Sequence, residues 1–386
     1  MISKDIFSNT YPIKKLGEVV IFLDSKRKPV KESERVTGIY PYYGANGLQG
    51  WINDYIFDDE LILLAEDGGH FNNPDRGVAY KITGKTWVNN HAHVIKPLED
   101  LNIDYLCRVL ENYDLRTWIT GTTRAKLTKG GASEILIPLP PLTEQKRIAQ
   151  ILDKADELRQ KRQQSIEKLD ELLQATFIDM FGDPLTNQKN WEISKLVNEI
   201  ELIQIGPFGT QLHQEDYVEN SIPLINPSHI RNGKIFPDNK LTVSEEKYHQ
   251  LPQYHMKTND VIVGRRGEMG RCAVVTEREN GYFCGTGSLF LRMNEKNLNA
   301  TFLSFILSSN SIKKLLENSS QGVTMANLNK KIVSEIPLIM PNIDLQSKFG
   351  EFVDSINLQK QRLKVQSKQQ ENLFQSLQQR AFNGEL

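Results

Sequence analysis

The side chains whose types and spacing could do chemistry are polar, planar groups set in glycine-rich loops. Pro41-Tyr-Tyr-Gly-Ala-Asn-Gly47 puts Tyr42, Tyr43 and Asn46 on a tight turn; Asp67-Gly-Gly-His70 with Arg76 makes another, and His91 follows. Later in the chain Gly206-Pro-Phe-Gly-Thr210, Arg265-Arg266-Gly267 and Gly285-Thr286-Gly287 have the same make-up. Glycine lets a backbone approach a duplex closely, Arg can hold guanine through two hydrogen bonds, and Asn or Gln can do the same for adenine. Base reading in DNA is therefore the chemistry these loops suit. Glycine-rich hairpin turns also need such residues for positive φ, so no single one is diagnostic.

Catalytic constellations are missing. The chain has no Asn/Asp-Pro-Pro-aromatic element of an amino-methyltransferase, no Walker A sequence, no HExxH and no GxSxG. Gly264-Arg-Arg-Gly267-Glu-Met-Gly270 lacks the lysine and hydroxyl of a phosphate loop and reads as a turn. Asp238 followed by Glu245 and Lys247 superficially resembles a metal-dependent nuclease core, in which two carboxylates hold a cation and a lysine polarises water. Surface Glu/Lys runs are common, and nothing in the pattern places these residues on adjacent strands. His91 and His93 would share a face if they lie on a strand, but no further metal ligand stands out. Hydrogen-bonding histidines are the expectation, with no metal and no catalytic residue.

The elements that must position these loops come in duplicate. Gly121-x-Thr123-x-Ala125-x-Leu127 returns as Gly322-x-Thr324-x-Ala326-x-Leu328, 201 positions later, and the same offset carries Ile148 onto Phe349, Leu172 onto Leu373 and Phe181 onto Phe382. Such self-similarity marks a tandem duplication. Its polar positions, Thr123, Arg124 and Lys126 in one copy and Gln321, Thr324 and Asn327 in the other, join the candidate DNA contacts. Upstream, Tyr11-Pro-Ile-Lys-Lys-Leu16 matches Trp191-Glu-Ile-Ser-Lys-Leu196 at an offset of only 180, so the second copy has gained 21 residues in between. Long helices are kept in step while the regions before them diverge, which suits one frame carrying two different reading surfaces.

Bulk properties agree. At 386 residues the chain exceeds what one core usually supports. Hydrophobic content of 39% and charged content of 25% are those of a globular protein, without a run long enough to span a membrane. Three scattered cysteines and an N-terminus without an apolar core followed by small residues point to a reducing cytoplasm and no export. A net charge of −1 argues against obligate non-specific nucleic-acid binding but allows a specific reader whose basic residues are gathered on one face.

Each copy ends in a long amphipathic helix. Thr143 and Asp344 stand at equivalent positions where either could cap free amides. Apolar residues then recur at heptad spacing: Ile148, Ile151, Ala155, Leu158, Leu169 and Leu172 in one, Phe349, Phe352, Ile356, Leu363, Leu373 and Leu377 in the other. Gly182 with Pro184, and Asn383-Gly384, supply the stops. Helices of roughly 38 residues, on the order of 57 Å long, have an obvious partner in each other. If the first leads from one globular part to the next, the second packs on it by running back. The expected fold is thus α+β: two globular mixed α/β domains joined by two long antiparallel helices as an intramolecular coiled coil, with a pseudo-two-fold internal repeat. Arg162 and Ser165 interrupt the seam as register-setting or surface positions.

Taken together, the PYYGANGLQGW segment (Pro41 to Trp51), the Ile137-Pro-Leu-Pro-Pro141-Leu-Thr-Glu-Gln145 lead into a long helix, Phe181-Gly-Asp-Pro184 at its end and the C-terminal Gln379-Arg-Ala-Phe-Asn-Gly-Glu-Leu386 resemble the specificity subunits of type I restriction–modification systems over nearly the whole chain. The second connector, Ile336-Pro-Leu-Ile-Met-Pro341-Asn-Ile-Asp, departs from the first. The resemblance implies a target-recognition domain at 1–141, a spacer helix at 142–182, a second recognition domain at 183–341 and a second spacer helix at 342–386. It implies a non-catalytic protein bound to two methyltransferase subunits and, in the full complex, to restriction–translocase subunits. S-adenosylmethionine, ATP and Mg2+ would sit on those partners. Each domain would read half of a bipartite DNA target through the loops named above, with the helices setting the spacing. A coiled-coil scaffold whose globular ends bind proteins is the alternative; it would show no DNA sequence preference with or without a methyltransferase.

Overall fold

The computed structural model describes residues 10–71, 73, 76–121, 125–319 and 327–386. It divides into two compact units, Met1–Gln164 with Leu363–Leu386, and Ser165–Arg362.

In the first unit a four-stranded antiparallel sheet has the order Val20–Phe22, Ala92–Pro97, Leu61–Ala65, Ala79–Ile82. Leu61-Ile-Leu-Leu-Ala65 is buried throughout, and its apolar run fits a strand covered on both faces. Helix Ile103–Glu111 packs on it through Tyr105, Leu106, Val109 and Leu110, its N-terminus capped by Asn102, whose side chain accepts the Tyr105 N–H. A second sheet, ordered Gly47–Ile52, Tyr40–Gly44, Lys85–Val88, Phe57–Asp58, carries the tyrosine-rich turn. Ile13–Lys15 pairs antiparallel with Leu136–Pro138, closing the unit just before the long helix.

The second unit repeats the plan. Ile200–Ile205, Ser288–Met293, Val261–Gly264 and Cys272–Val274 form the corresponding sheet. Helix Ala300–Ser308, capped by Asn299, takes the place of the first unit's helix. Ile193–Lys195 pairs with Pro337–Ile339, so the divergent second connector keeps the geometry of the first. Ala65 opposes Ala92 as Gly264 opposes Ser288, so by this point the offset between copies has risen from 180 to 199. Most of the extra chain therefore lies before the Val261 strand. It includes the hairpin Ile230–Arg231/Lys234–Ile235, turned at Asn232 and Gly233 with φ of 49° and 68°, and the helix Glu245–Gln250.

The long helices run Leu142–Phe181 and Ile343–Asn383. Both start one residue before the expected capping positions. Thr143 and Asp344 are helical, and in the second helix Asn342 accepts the Leu345 N–H at 2.8 Å. Both end at a left-handed glycine, Gly182 (φ 77°) and Gly384 (φ 73°). Within the first unit the helix segments pair antiparallel: Arg147 donates to the Leu386 carbonyl, Arg159 bridges Glu371 at 2.6 Å, and Arg162 donates to Gln370 at 2.8 Å and to Gln366. Within the second, Lys360 pairs with Asp170, and Phe177 and Phe181 meet Phe349 at ring-centroid distances of 5.4 and 5.5 Å.

The packed stripe is not the expected one throughout. Ile148, Phe349 and Ile356 are buried, and Ile151, Leu169, Phe352 and Leu377 are half-buried. Leu158, Leu172 and Leu373 are instead 47%, 44% and 59% exposed. Leu152, Ile166, Leu173, Val353 and Phe374 take the buried places. Adjacent helical residues differ by about 100° around the axis, so the stripe that satisfies the globular cores passes through Leu173 and Phe374 and turns their neighbours outward.

Candidate nucleic-acid interface

In the first unit the strand Leu61–Ala65 leaves its sheet at Glu66, whose N–H donates to the His91 carbonyl at 2.9 Å; the Asp67 N–H reaches the same oxygen at 3.3 Å. Gly68, with φ of 67°, turns the chain. Asn46 donates from Nδ2 to the Gly68 carbonyl at 2.9 Å, laying the 43–47 turn on this one. The Tyr80 hydroxyl donates to the Gly44 carbonyl, and its ring lies 6.0 Å from that of Tyr43. Asn89 accepts the His91 N–H at 2.8 Å and donates to Gln49 at 3.0 Å, while His91 Nδ1 is hydrogen-bonded to Asp67. Arg76 meets His70 at 2.8 Å, and Lys126 bridges Glu66 at 3.1 Å. Asn46, His70, Arg76, His91 and Lys126, distant in sequence, thus occupy one continuous polar surface.

Tyr42 does not belong to it. The side chain is 2% exposed, its hydroxyl is bonded to both the N–H and the carbonyl of Val30, and the Arg35 guanidinium lies 3.9 Å over its ring. Strand alternation sends one of the adjacent tyrosines inward, and Trp87 and Ile52 hold it there.

Beneath this surface lies a network that the residue pattern gave no sign of. His93, 1% exposed, bonds Asp24 through Nδ1 at 2.7 Å and the Leu127 carbonyl through Nε2 at 2.9 Å. Arg27 bridges Glu66 at 2.6 Å and Asp24 at 3.6 Å. Burial works against the Asp24 charge, but the His93 bond and charge, the Val94 N–H and Arg27 outweigh it and hold the carboxyl below its ordinary range. Glu66 is likewise held low, burial being outweighed by hydrogen bonds from Arg27 and Lys126 and by the charges of His93 and Arg27. Asp24, Glu66 and His93 bring potential ligand atoms within 4.8 Å of one another. Arg27 and Lys126 already neutralise the carboxylates, and His93 Nε2 is committed to the Leu127 carbonyl, so the arrangement acts as an ion-paired brace for the Lys126–Leu127 strand. The two histidines that sequence spacing placed together are separated by role: His93 is internal, and His91 stands at the rim.

In the second unit Arg265 N–H donates to the Gly287 carbonyl at 2.9 Å, and the Leu328 N–H to the Arg265 carbonyl at 3.0 Å. Arg265 Nε donates to the Leu328 carbonyl at 2.7 Å. Burial and the neighbouring Arg266 charge lower its pKa. Much of Arg265 is therefore engaged in holding the 327–328 segment, while Arg266 is exposed. Thr286 lies beside the Tyr217 hydroxyl, whose pKa burial and the Asp216 charge push up. A Cβ on Gly206 would come within 2.0 Å of the Gly285 carbonyl, so only glycine allows the 206–209 loop to lie against the 285–287 loop. Asn327 is half-buried, and its Oδ1 has no hydrogen-bond partner among the described residues. Thr123, Arg124, Gln321 and Thr324 lie outside the described residues, as does the side chain of Thr210.

The nuclease-like triplet does not converge. Lys247 bridges Asp216 at 3.3 Å, Asp238 accepts the Lys240 N–H at 2.9 Å, and Glu245 is exposed in the first turn of its helix. Among the described residues no helix is long and apolar enough to cross a membrane.

Both copies match the family described as the type I restriction modification DNA specificity domain, over residues 9–168 and 188–370. The chain belongs to that family. It is accordingly a specificity subunit of a type I restriction–modification system, a non-catalytic component. It is 31% identical over 290 residues to a putative type I restriction enzyme specificity subunit of Haemophilus influenzae, covering 73% of this chain and 72% of that one. To a type I restriction enzyme specificity subunit of Methanocaldococcus jannaschii it is 24% identical over 378 residues, covering 90% and 86%. Its fold is that of the type I restriction-modification system S subunit from M. genitalium (TM-score 0.57, 16% identity, 97% of both chains). It also aligns with a chain from a structure described as the basis of complex assembly and conformational transition of the type I R-M system (TM-score 0.58, 15% identity, 98% and 99% of the two chains).

Proposed function

We propose that each unit reads one half of a bipartite, asymmetric DNA target and that the paired long helices fix the number of unread base pairs between the halves. The observation that carries this is the pair of loop clusters. Each unit uses the same backbone scaffold to gather glycine-flanked polar side chains on one surface, but the side chains differ, as half-sites of different sequence require. Base contacts would come from Asn46, His70, Arg76 and His91 in one unit and from Arg266 and Thr286 in the other, with Lys126 placed for phosphate. The long helices also offer Leu158, Leu172 and Leu373, exposed in the chain by itself, to the methyltransferase subunits expected as partners. Restriction–translocase subunits would join the complete complex. Methyl donor, ATP and Mg2+ belong to those partners in this reading, and this chain supplies the address, in the cytoplasm where DNA is accessible.

Exchanging residues 1–141 for those of another family member tests it. In complex with the methyltransferase, one half of the recognised sequence should change and the other persist. A change in both halves, or in neither, contradicts the proposal.

A further inference from the structure

The turns at Glu66 and Arg265 occupy the same place in the two repeats. Each follows a matched strand, since Ala65 opposes Ala92 as Gly264 opposes Ser288. Each is fixed by the same two backbone bonds: Glu66 N–H to His91 and Leu127 N–H to Glu66 in one, Arg265 N–H to Gly287 and Leu328 N–H to Arg265 in the other. Two residues on, Gly68 and Gly267 are both left-handed, with φ of 67° and 80°. Asp67 therefore corresponds to Arg266, and His91 to Gly287.

Both positions differ between the repeats. In the first unit Asp67, its side chain 16% exposed, grips Nδ1 of the 39% exposed His91. An ionised carboxylate only accepts, so in the neutral imidazole the proton sits on Nδ1 and Nε2 presents a lone pair. No hydrogen bond to that Nε2 is found among the described residues. In the second unit Arg266 replaces the acid, and Gly287 leaves nothing opposite it. The exposed guanidinium has no hydrogen bond or ion pair among the described residues. At one backbone location the first repeat thus shows an acceptor and the second a donor. In the major groove the amino groups of adenine and cytosine are donors, whereas N7 and O6 of guanine are acceptors.

We propose that this turn is a specificity-determining position in both repeats: His91, positioned by Asp67, accepts from the amino group of an adenine or cytosine, and Arg266 donates to a guanine in the other half-site. The inference rests on the base-reading function proposed above.

The test uses the chain in complex with its methyltransferase and maps the methylated sequence for the unsubstituted protein, Arg266→Ala and His91→Ala. Arg266→Ala should relax one fixed guanine, with discrimination there falling roughly 5- to 150-fold, and leave the other half-site intact. His91→Ala should relax one fixed adenine or cytosine in the opposite half. Motifs unchanged in both variants, or methylation reduced alike at all sequences, would overturn the inference while leaving half-site reading in place. An unsubstituted complex without sequence preference would overturn both.

Discussion

Gln346 makes, partner for partner, the hydrogen bonds that Gln145 makes in the other repeat. Gln145 accepts the Asn102 N–H at 2.7 Å and donates to the carbonyls of Asp100 and Pro140 at 3.0 and 2.9 Å. Gln346 accepts the Asn299 N–H at 3.0 Å and donates to those of Asn297 and Pro341 at 3.1 and 2.8 Å. Both side chains are fully buried. Each ties the first turn of a long helix to the cap of the helix lying on the sheet, joining the frame to the globular part it carries.

Gln145→Leu should therefore be costly. It keeps apolar volume but leaves the buried Pro140 carbonyl and the part-buried Asn102 N–H and Asp100 carbonyl without their partner, at about 1–3 kcal/mol for each group that water does not reach. A fall of about 3 kcal/mol or more in unfolding free energy is expected in urea denaturation followed by circular dichroism. An unchanged midpoint would mean that the glutamine is not a latch.

The seam gives a sharper contrast, since neighbouring leucines differ. Leu173 is 6% exposed and packs among Phe177 and Phe349, whereas Leu172 is 44% exposed. Leu173→Ala should destabilise the isolated chain by about 2–5 kcal/mol, and Leu172→Ala by about 0.5 kcal/mol or less. Thermal unfolding of the two variants side by side measures the difference. Equal losses would place the stripe elsewhere.

The buried network makes stability depend on acidity. Asp24 and Glu66 have folded pKa values below their ordinary ones. Their contribution is accordingly complete above the unfolded values near 4 and disappears as pH falls through the depressed folded values. Asp24→Asn should lose on the order of 3 kcal/mol at pH 7 and show a shallower further loss below about pH 4 than the unsubstituted chain. Urea midpoints at several pH values test this; parallel pH profiles for the two proteins would contradict it.

Much of the frame was legible in the sequence because it is written in periods and repeats. The 201-residue offset, the heptad spacing and the terminal glycines, Gly182 and Gly384, all report local geometry. What stayed hidden depends on neighbours remote in the chain. Tyr42 and Tyr43 look alike until Val30, Ile52 and Trp87 enclose the first. Leu172 and Leu173 both fit an apolar stripe until Phe177 and Phe349 select the second. Asp24, Arg27, Glu66 and His93 come from three separated segments, so no spacing marks them as a network. The glycine-rich turns were visible as candidates, but only backbone hydrogen bonds show that Glu66 and Arg265 mark equivalent places.

Mapping methylated adenines in DNA from cells that carry this chain with its methyltransferase partner tests the central claim most directly. The account predicts one two-part motif with unlike halves, separated by a constant number of unspecified base pairs. A continuous motif, a palindrome read identically by both units, or methylation without a sequence rule would contradict it.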